Sequence, residues 1–306
     1  MDTAQRYPVR ALSYPREQYR RYTTVNQGEN TALDPTCAIF ETKQTEQRSG
    51  QKKVSKQRPI PAFLGQNRRF FAEVHVIIDP SQISISDRYK LLIGGITPRP
   101  IALVSTASPA GRLNLAPFSF FAGVGSNPLT LLFCPVNNPN GTEKDSLRNA
   151  KTRAEGGTGQ FVVNVVSHRF ARQMAASAEE LPYEQSEFEL SGLQQAPSSR
   201  VAPPRVADAA MAFECETRQV IRTNPGQPGG GNIVIGEVVS VFIRDDAAGD
   251  RLHIDPDVLD TVGRMAGTTY CLTRDRFELP MGRKALSGES PEAVPPRGPL
   301  EPGQGR

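Results

Sequence analysis

Between residues 101 and 244, β-branched and aromatic residues gather into short runs broken by Gly, Pro and Asn, the signature of strands bounded by turns. Six runs stand out: IALVSTAS from Ile101, NLAPFSFFAGVGS from Asn114, LTLLFCPV from Leu129, QFVVNVVS from Gln160, AFECETRQVI from Ala212 and NIVIGEVVSVFIR from Asn232. PAGRLN, with Gly111, reads as the hairpin turn joining the first two. The rhythm becomes helical in KDSLRNAKTR, where Leu147 and Ala150 are three apart, and in HRFARQMAASAEE, where Phe170, Met174 and Ala178 are four apart. A short helix is expected after Asp255, which precedes a proline at the first helical position. Many strands and few helices, with no regular alternation of the two, predict a mainly β, antiparallel barrel with flanking helices.

The pattern is absent at both ends. Residues 1–75 show no sustained apolar periodicity, and segments such as QRSGQKKVSKQRP bury too little to offset their ordering entropy. Residues 283–306 are dominated by Pro, Gly, Ser and Glu. The expected organisation is a weakly structured basic extension over 1–75, one folded domain over 76–282 and a disordered tail. Composition agrees, since 26 Pro and 26 Gly with 38% hydrophobic residues are poor material for 306 wholly globular residues.

Charge changes the picture little. The net charge of +4 comes from the first 80 residues, which carry +5, so the folded region is nearly neutral and offers no nucleic-acid-binding face. No apolar stretch is long enough to span a membrane, and the start has no apolar signal core, so a cytoplasmic location is expected. The four cysteines are far apart, without metal-ligand spacing, and Cys134 and Cys215 read as small hydrophobes within strands.

Familiar catalytic strings are missing: there is no GxSxG, HExxH, Walker loop or dinucleotide fingerprint. The glycine-rich PGQPGGGN runs into a strand and reads as a hairpin loop, since a phosphate loop would open a helix. Candidate chemistry concentrates between Thr97 and Asn149. There Ser, Thr and Asn cluster near strand ends, with Lys144 and Arg148 at a predicted helix start. Hydroxyls plus a cation suit a phosphate, and Ala116, Pro117 and Phe118 supply apolar walls for a flat ring system.

PRPIALVST, GRLNLAPFSFF, KDSLRN, FVVNVVS, the GGGNIVIGEVV hairpin and VGRMAGTTY follow one another in this order. Together they resemble the flavin reductase-like proteins with an FMN-binding split β-barrel, over about residues 83–280. The resemblance implies a Greek-key split barrel forming a homodimer, with FMN near the subunit interface. Residue by residue it implies that Ser105 and Thr106 line the flavin site, and that Asn114 and the backbone at Ala116, Pro117 and Phe118 meet the isoalloxazine. Ser119 faces the ribityl region, Lys144, Ser146 and Asn149 bind the phosphate, and Arg264 reaches the flavin or the nicotinamide. Ser146 stands where many relatives have Thr, which preserves the hydroxyl.

The activity this implies is NADH- or NADPH-dependent reduction of FMN, with a monooxygenase or another electron acceptor as partner. The alternative is a flavoredoxin-like carrier that holds FMN without oxidising a nicotinamide. An oxidase of pyridoxamine 5′-phosphate ranks below both, because the body lacks a basic cluster for a second phosphate. His168, between a strand and a helix, either approaches the flavin or caps the helix, and His253 is expected in solvent. Phe118, Phe120 and Phe121 cannot all point into one barrel, so at least one ring should lie outside, under the helix near residues 168–180 or against a second copy.

Overall fold

The computed structural model describes residues 75–286 and the short strands Arg21–Tyr22 and Glu292–Val294. Most of the extension expected over 1–75 and of the tail expected over 283–306 lies outside the described residues, as does Cys37. The chain divides between Ile83 and Ser84. In the first unit, Arg21–Tyr22 pairs antiparallel with His75–Val76. The second unit holds the barrel.

Seven strands form one antiparallel sheet: β1 (Ala102–Ala107), β2 (Leu113–Phe118), β3 (Phe121–Ser126), β4 (Leu129–Phe133), β5 (Gln160–Val165), β6 (Met211–Arg222) and β7 (Asn232–Ile243). Their spatial order is β2-β1-β5-β6-β7-β4-β3. The apolar runs are therefore strands, with one correction. The run from Asn114 to Ser126 is two strands, broken at Ser119 and Phe120, and these lie at opposite edges of the sheet. Three peptide steps from Phe118 to Phe121 span at most about 11 Å. The edges must meet there, so the sheet is rolled into a barrel, the split barrel expected from the motifs.

Alternation along β1 sorts the core. Ala102 and Val104 face the barrel interior with Phe118, Phe133, Phe161, Val163 and Val234, while Leu103 faces outward with Leu115, Phe170, Met174 and Phe188. Both faces of β1 are covered, so all six of its residues are buried. Gly236 permits this filling, because a Cβ there would stand 2.4 Å from Cζ of Phe161. Gly111, at φ 81°, makes the turn between β1 and β2. The glycine-rich segment joins β6 to β7, as a hairpin loop should.

Among the described residues, five α-helices surround the barrel: α1 (Ile85–Gly95), α2 (Asp145–Ala150), α3 (Ala171–Ala176), α4 (Glu187–Ser191) and α5 (Pro256–Leu259). α2 inserts Leu147 and Ala150 into the barrel core, as their spacing predicts. α3 ends before Ala178, which lies instead in the turn leading to Leu181. The Asp255 side chain caps α5 as expected. α1 has no counterpart in the helices read from the sequence. Its start is fixed by Ser84, whose hydroxyl accepts from the Asp87 backbone N–H at 3.1 Å. Among the described residues no helix is long and apolar enough to cross a membrane.

Candidate flavin site

The site begins where β1 and β2 meet α2. Register places Thr106 opposite Asn114 and Val104 opposite Ala116. α2 then brings two polar side chains against this pair. Asn114 Nδ2 donates to Ser146 Oγ at 2.9 Å, and Asn149 Nδ2 donates to Thr106 Oγ1 at 3.1 Å. The Tyr183 hydroxyl completes the layer by donating to Asn149 Oδ1 at 3.2 Å. Each buried polar group thus has a partner, the condition for keeping it inside.

One cavity opens from this layer, and a second adjoins it; the two share Pro117 and Ala178. The first, 510 Å³, is lined by Asn114, Ala116, Pro117, Phe118, Lys144 and Ser146, together with Glu187 and the Ser177–Leu181 turn. The second, 660 Å³, is lined by Ser119 and Arg264, with Arg99, Tyr89, Met174 and Tyr270 among the rest. Both volumes fall within the usual range of small-molecule sites.

The structure thus gathers eight of the eleven residues singled out by the motifs onto cavity walls. The other three stand behind. Ser105 points to the opposite face of β1, its hydroxyl donating to the Pro204 carbonyl. Thr106 and Asn149 are fully buried and bonded to each other, so they brace Asn114 and Ser146 from the rear. His168 lines neither cavity. It stands in a polar cluster, its Nδ1 4.0 Å from Asp260 and 3.4 Å from Arg274, at the start of a helical turn. His253 is exposed, as expected.

The cavities differ in charge. The first holds Lys144 with Asp145, Glu179, Glu180 and Glu187. Lys144 Nζ lies 3.3 Å from a Glu180 oxygen. Glu187, buried at the start of α4, accepts the Leu115 backbone N–H at 2.9 Å. Burial raises its carboxyl above the ordinary range and the Asp145 charge adds to this, against the opposing backbone hydrogen bonds. The second cavity has two guanidiniums, Arg99 and Arg264, and no carboxylate among its lining residues. Arg99 is 3% exposed. Its Nε donates to Ser119 Oγ, Nη1 to the Ile93 and Ile96 carbonyls and Nη2 to the Met265 carbonyl.

Arg99, Tyr270, Glu187 and the 177–181 turn escape a reading of the sequence. Arg99 lies inside the motif PRPIALVST, but nothing local distinguishes it from a surface arginine. Its burial depends on the end of α1 just before it and on the turn after Arg264, which is distant in sequence.

The flavin reductase like domain model matches residues 94–263. An uncharacterised protein of Deinococcus radiodurans is 41% identical over 212 residues, covering 67% of this chain and 89% of the relative. Among solved structures, nitrilotriacetate monooxygenase component B of Bacillus cereus is 31% identical, with TM-score 0.61 over 67% of this chain and 98% of that one. The 2-nitrobenzoate 2-nitroreductase NbaA of Pseudomonas fluorescens is also 31% identical, with TM-score 0.59 over 68% and 96%. On the strength of its barrel, its cavity-lining motifs and this match over more than half its length, the chain belongs to the flavin reductase-like family.

Proposed function

We propose that the protein binds FMN across the two adjoining cavities and catalyses its reduction by NADH or NADPH. The observation that carries this reading is the polarity gradient of the paired cavities. Lys144, Ser146 and Asn114 offer a cation, a hydroxyl and an amide at one end. Past Pro117 the walls become Ile101, Met174 and Tyr270, which suit a flat ring system. The residues therefore fit a molecule with an anionic tail and an aromatic head.

The flavin, when bound, supplies the redox chemistry and the nicotinamide the reducing equivalents. The chain's own work is placement. Ser146 and Asn114, braced by Asn149 and Thr106, present preorganised polar groups to the ribityl-phosphate end. Ala116, Pro117 and Phe118 would supply the apolar wall between the polar end and the ring. Arg99 and Arg264 place positive charge beside the ring end, where negative charge develops on reduction. No side chain need move a proton from carbon, so the absence of a catalytic triad is consistent with the reaction.

The test is the visible spectrum of the purified protein, made anaerobic, before and after addition of NADH or NADPH. Bleaching of a yellow protein by either nicotinamide is the expected result. A protein that bleaches only with dithionite is a carrier, which would refute the reductase reading.

A further inference from the structure

A third cavity, of 430 Å³, lies where the 108–112 turn between β1 and β2 meets the end of α2 and Tyr183. It shares no lining residue with the two cavities of the flavin site. Its walls carry three cations, Arg112, Arg148 and Lys151, and one carboxylate, Glu155. Glu155 is already engaged by Arg222, at 2.6 Å. The sequence shows no run of bases for a second phosphate, yet the fold gathers these three from the turn and from α2.

Arg148 donates to Asp145 at 2.8 Å and Lys151 to Glu143 at 3.0 Å, and the last turn of a helix favours such cations. Arg112 has no such reason to be there. Its guanidinium makes no hydrogen bond or ion pair among the described residues, and its contact is the Tyr183 ring, with 4.5 Å between the guanidinium carbon and the ring centroid. The Arg148 guanidinium carbon lies 4.0 Å from the same centroid. The ring attracts each cation, but the two like charges brought to it repel each other. An anion held by both turns that repulsion into attraction.

We propose that this third cavity binds the phosphate monoester of a small phosphorylated molecule, its dianion resting on the Arg112 and Arg148 guanidiniums. Guanidinium forks match phosphate oxygens in geometry and charge, and two of them suit a dianion better than the single charge of a carboxylate. The Ser108 hydroxyl accepts the Arg112 backbone N–H at 3.0 Å and keeps its own proton to donate. Tyr183 is itself fixed, its hydroxyl on Asn149, so the two guanidiniums gather on a ring already in place. The cavity is large enough to admit the organic part of the ester as well. This site is separate from the flavin's and stands whether or not the proposed function holds.

The test is calorimetric titration of the full-length protein, in the presence of excess FMN, with inorganic phosphate and with acetate at constant ionic strength and at a pH that keeps phosphate dianionic. Phosphate should bind about tenfold or more tighter than acetate, the value of one further charge-assisted pair. Arg112→Gln and Arg148→Gln, both at exposed positions, should each weaken phosphate by about the same factor. Adenosine 2′-phosphate and adenosine 5′-phosphate then separate the sources. Preference for the 2′-ester supports the proposal with a phosphorylated nicotinamide dinucleotide as the source, and equal binding of the two supports it with free phosphorylated molecules. Absence of phosphate binding, equal affinity for acetate, or binding untouched by both substitutions overturns the proposal. So does phosphate that displaces FMN, which would place it at Lys144. Flavin content read on the same samples tests the proposed function separately, since a protein that takes up no flavin contradicts that reading and leaves the response to Arg112→Gln to decide this one.

Discussion

Lys144 Nζ and a Glu180 oxygen are 3.3 Å apart, so a phosphate arriving at Lys144 must replace a carboxylate already there. The pair is exposed and worth at most about 1 kcal/mol. Glu180→Gln should therefore tighten FMN several-fold by removing both the competitor and a repulsive charge, and leave riboflavin affinity unchanged. Equilibrium titration of the two flavins checks it. Glu187 yields a prediction about pH. Its raised carboxyl pKa means that the folded protein binds this proton more tightly than the unfolded chain does. Its contribution to stability is therefore complete below the ordinary carboxylate range and is lost as pH rises through the raised folded value. Glu187→Gln keeps an acceptor for the Leu115 N–H and avoids that loss. Its melting temperature should exceed that of the unaltered protein at about pH 8, and the gap should close by about pH 4.

Among the elements, the crossing from β2 to β3 matters most, because it closes the barrel and delivers Ser119 to the second cavity. Phe118 and Phe121 pack on the barrel core, whereas Phe120 lies outside against Tyr89 of α1, with ring centroids 6.3 Å apart. One ring outside was legible from period-two alternation; its cover was not. The covers expected are the helix near residue 170 or a second copy, and Tyr89 of α1 lies against the ring instead of that helix. α1 escapes the sequence reading because Ile85, Tyr89, Leu91 and Leu92 leave it without a buried residue, so its pattern serves no core among the described residues. Likewise the resemblance implies both Ser105 and Thr106 at the flavin site, although neighbours on a strand face opposite ways and Ser105 turns from the barrel interior to the Pro204 carbonyl. The motif order brings together Asn114, which the resemblance sets against the ring, and Ser146, which it sets at the phosphate, in one short layer. The buried Arg99 bonds the end of α1 nearby but also Ser119 and the Met265 carbonyl, which are far away in sequence and which no local pattern encodes. Inside the barrel, Gly236→Ala should cost about 1–3 kcal/mol or more, because the added methyl meets Phe161. Chemical denaturation should show a lower midpoint with an unchanged slope.

For the molecule as a whole, α1 and the Ile96 that caps it present Ile85, Tyr89, Leu92 and Ile96 in a stripe, each about half exposed. Such a stripe is the surface that a partner covers, and Tyr89 belongs also to the second cavity. This supports the proposal of a homodimer whose second copy lies on α1 beside the flavin. Sedimentation should find a dimer at micromolar concentration, and Leu92→Glu should shift it toward monomer with loss of flavin. A monomer that holds flavin stoichiometrically would contradict this. The central claim is that Lys144 and Ser146 hold the phosphate of FMN while the ring lies beyond Pro117. The measurement that tests it most directly is the affinity of FMN and of riboflavin for the unaltered protein and for Lys144→Ala. The substitution should weaken FMN by about 1.5–3 kcal/mol and riboflavin far less. Equal losses for the two flavins would remove Lys144 from the phosphate site and contradict the account.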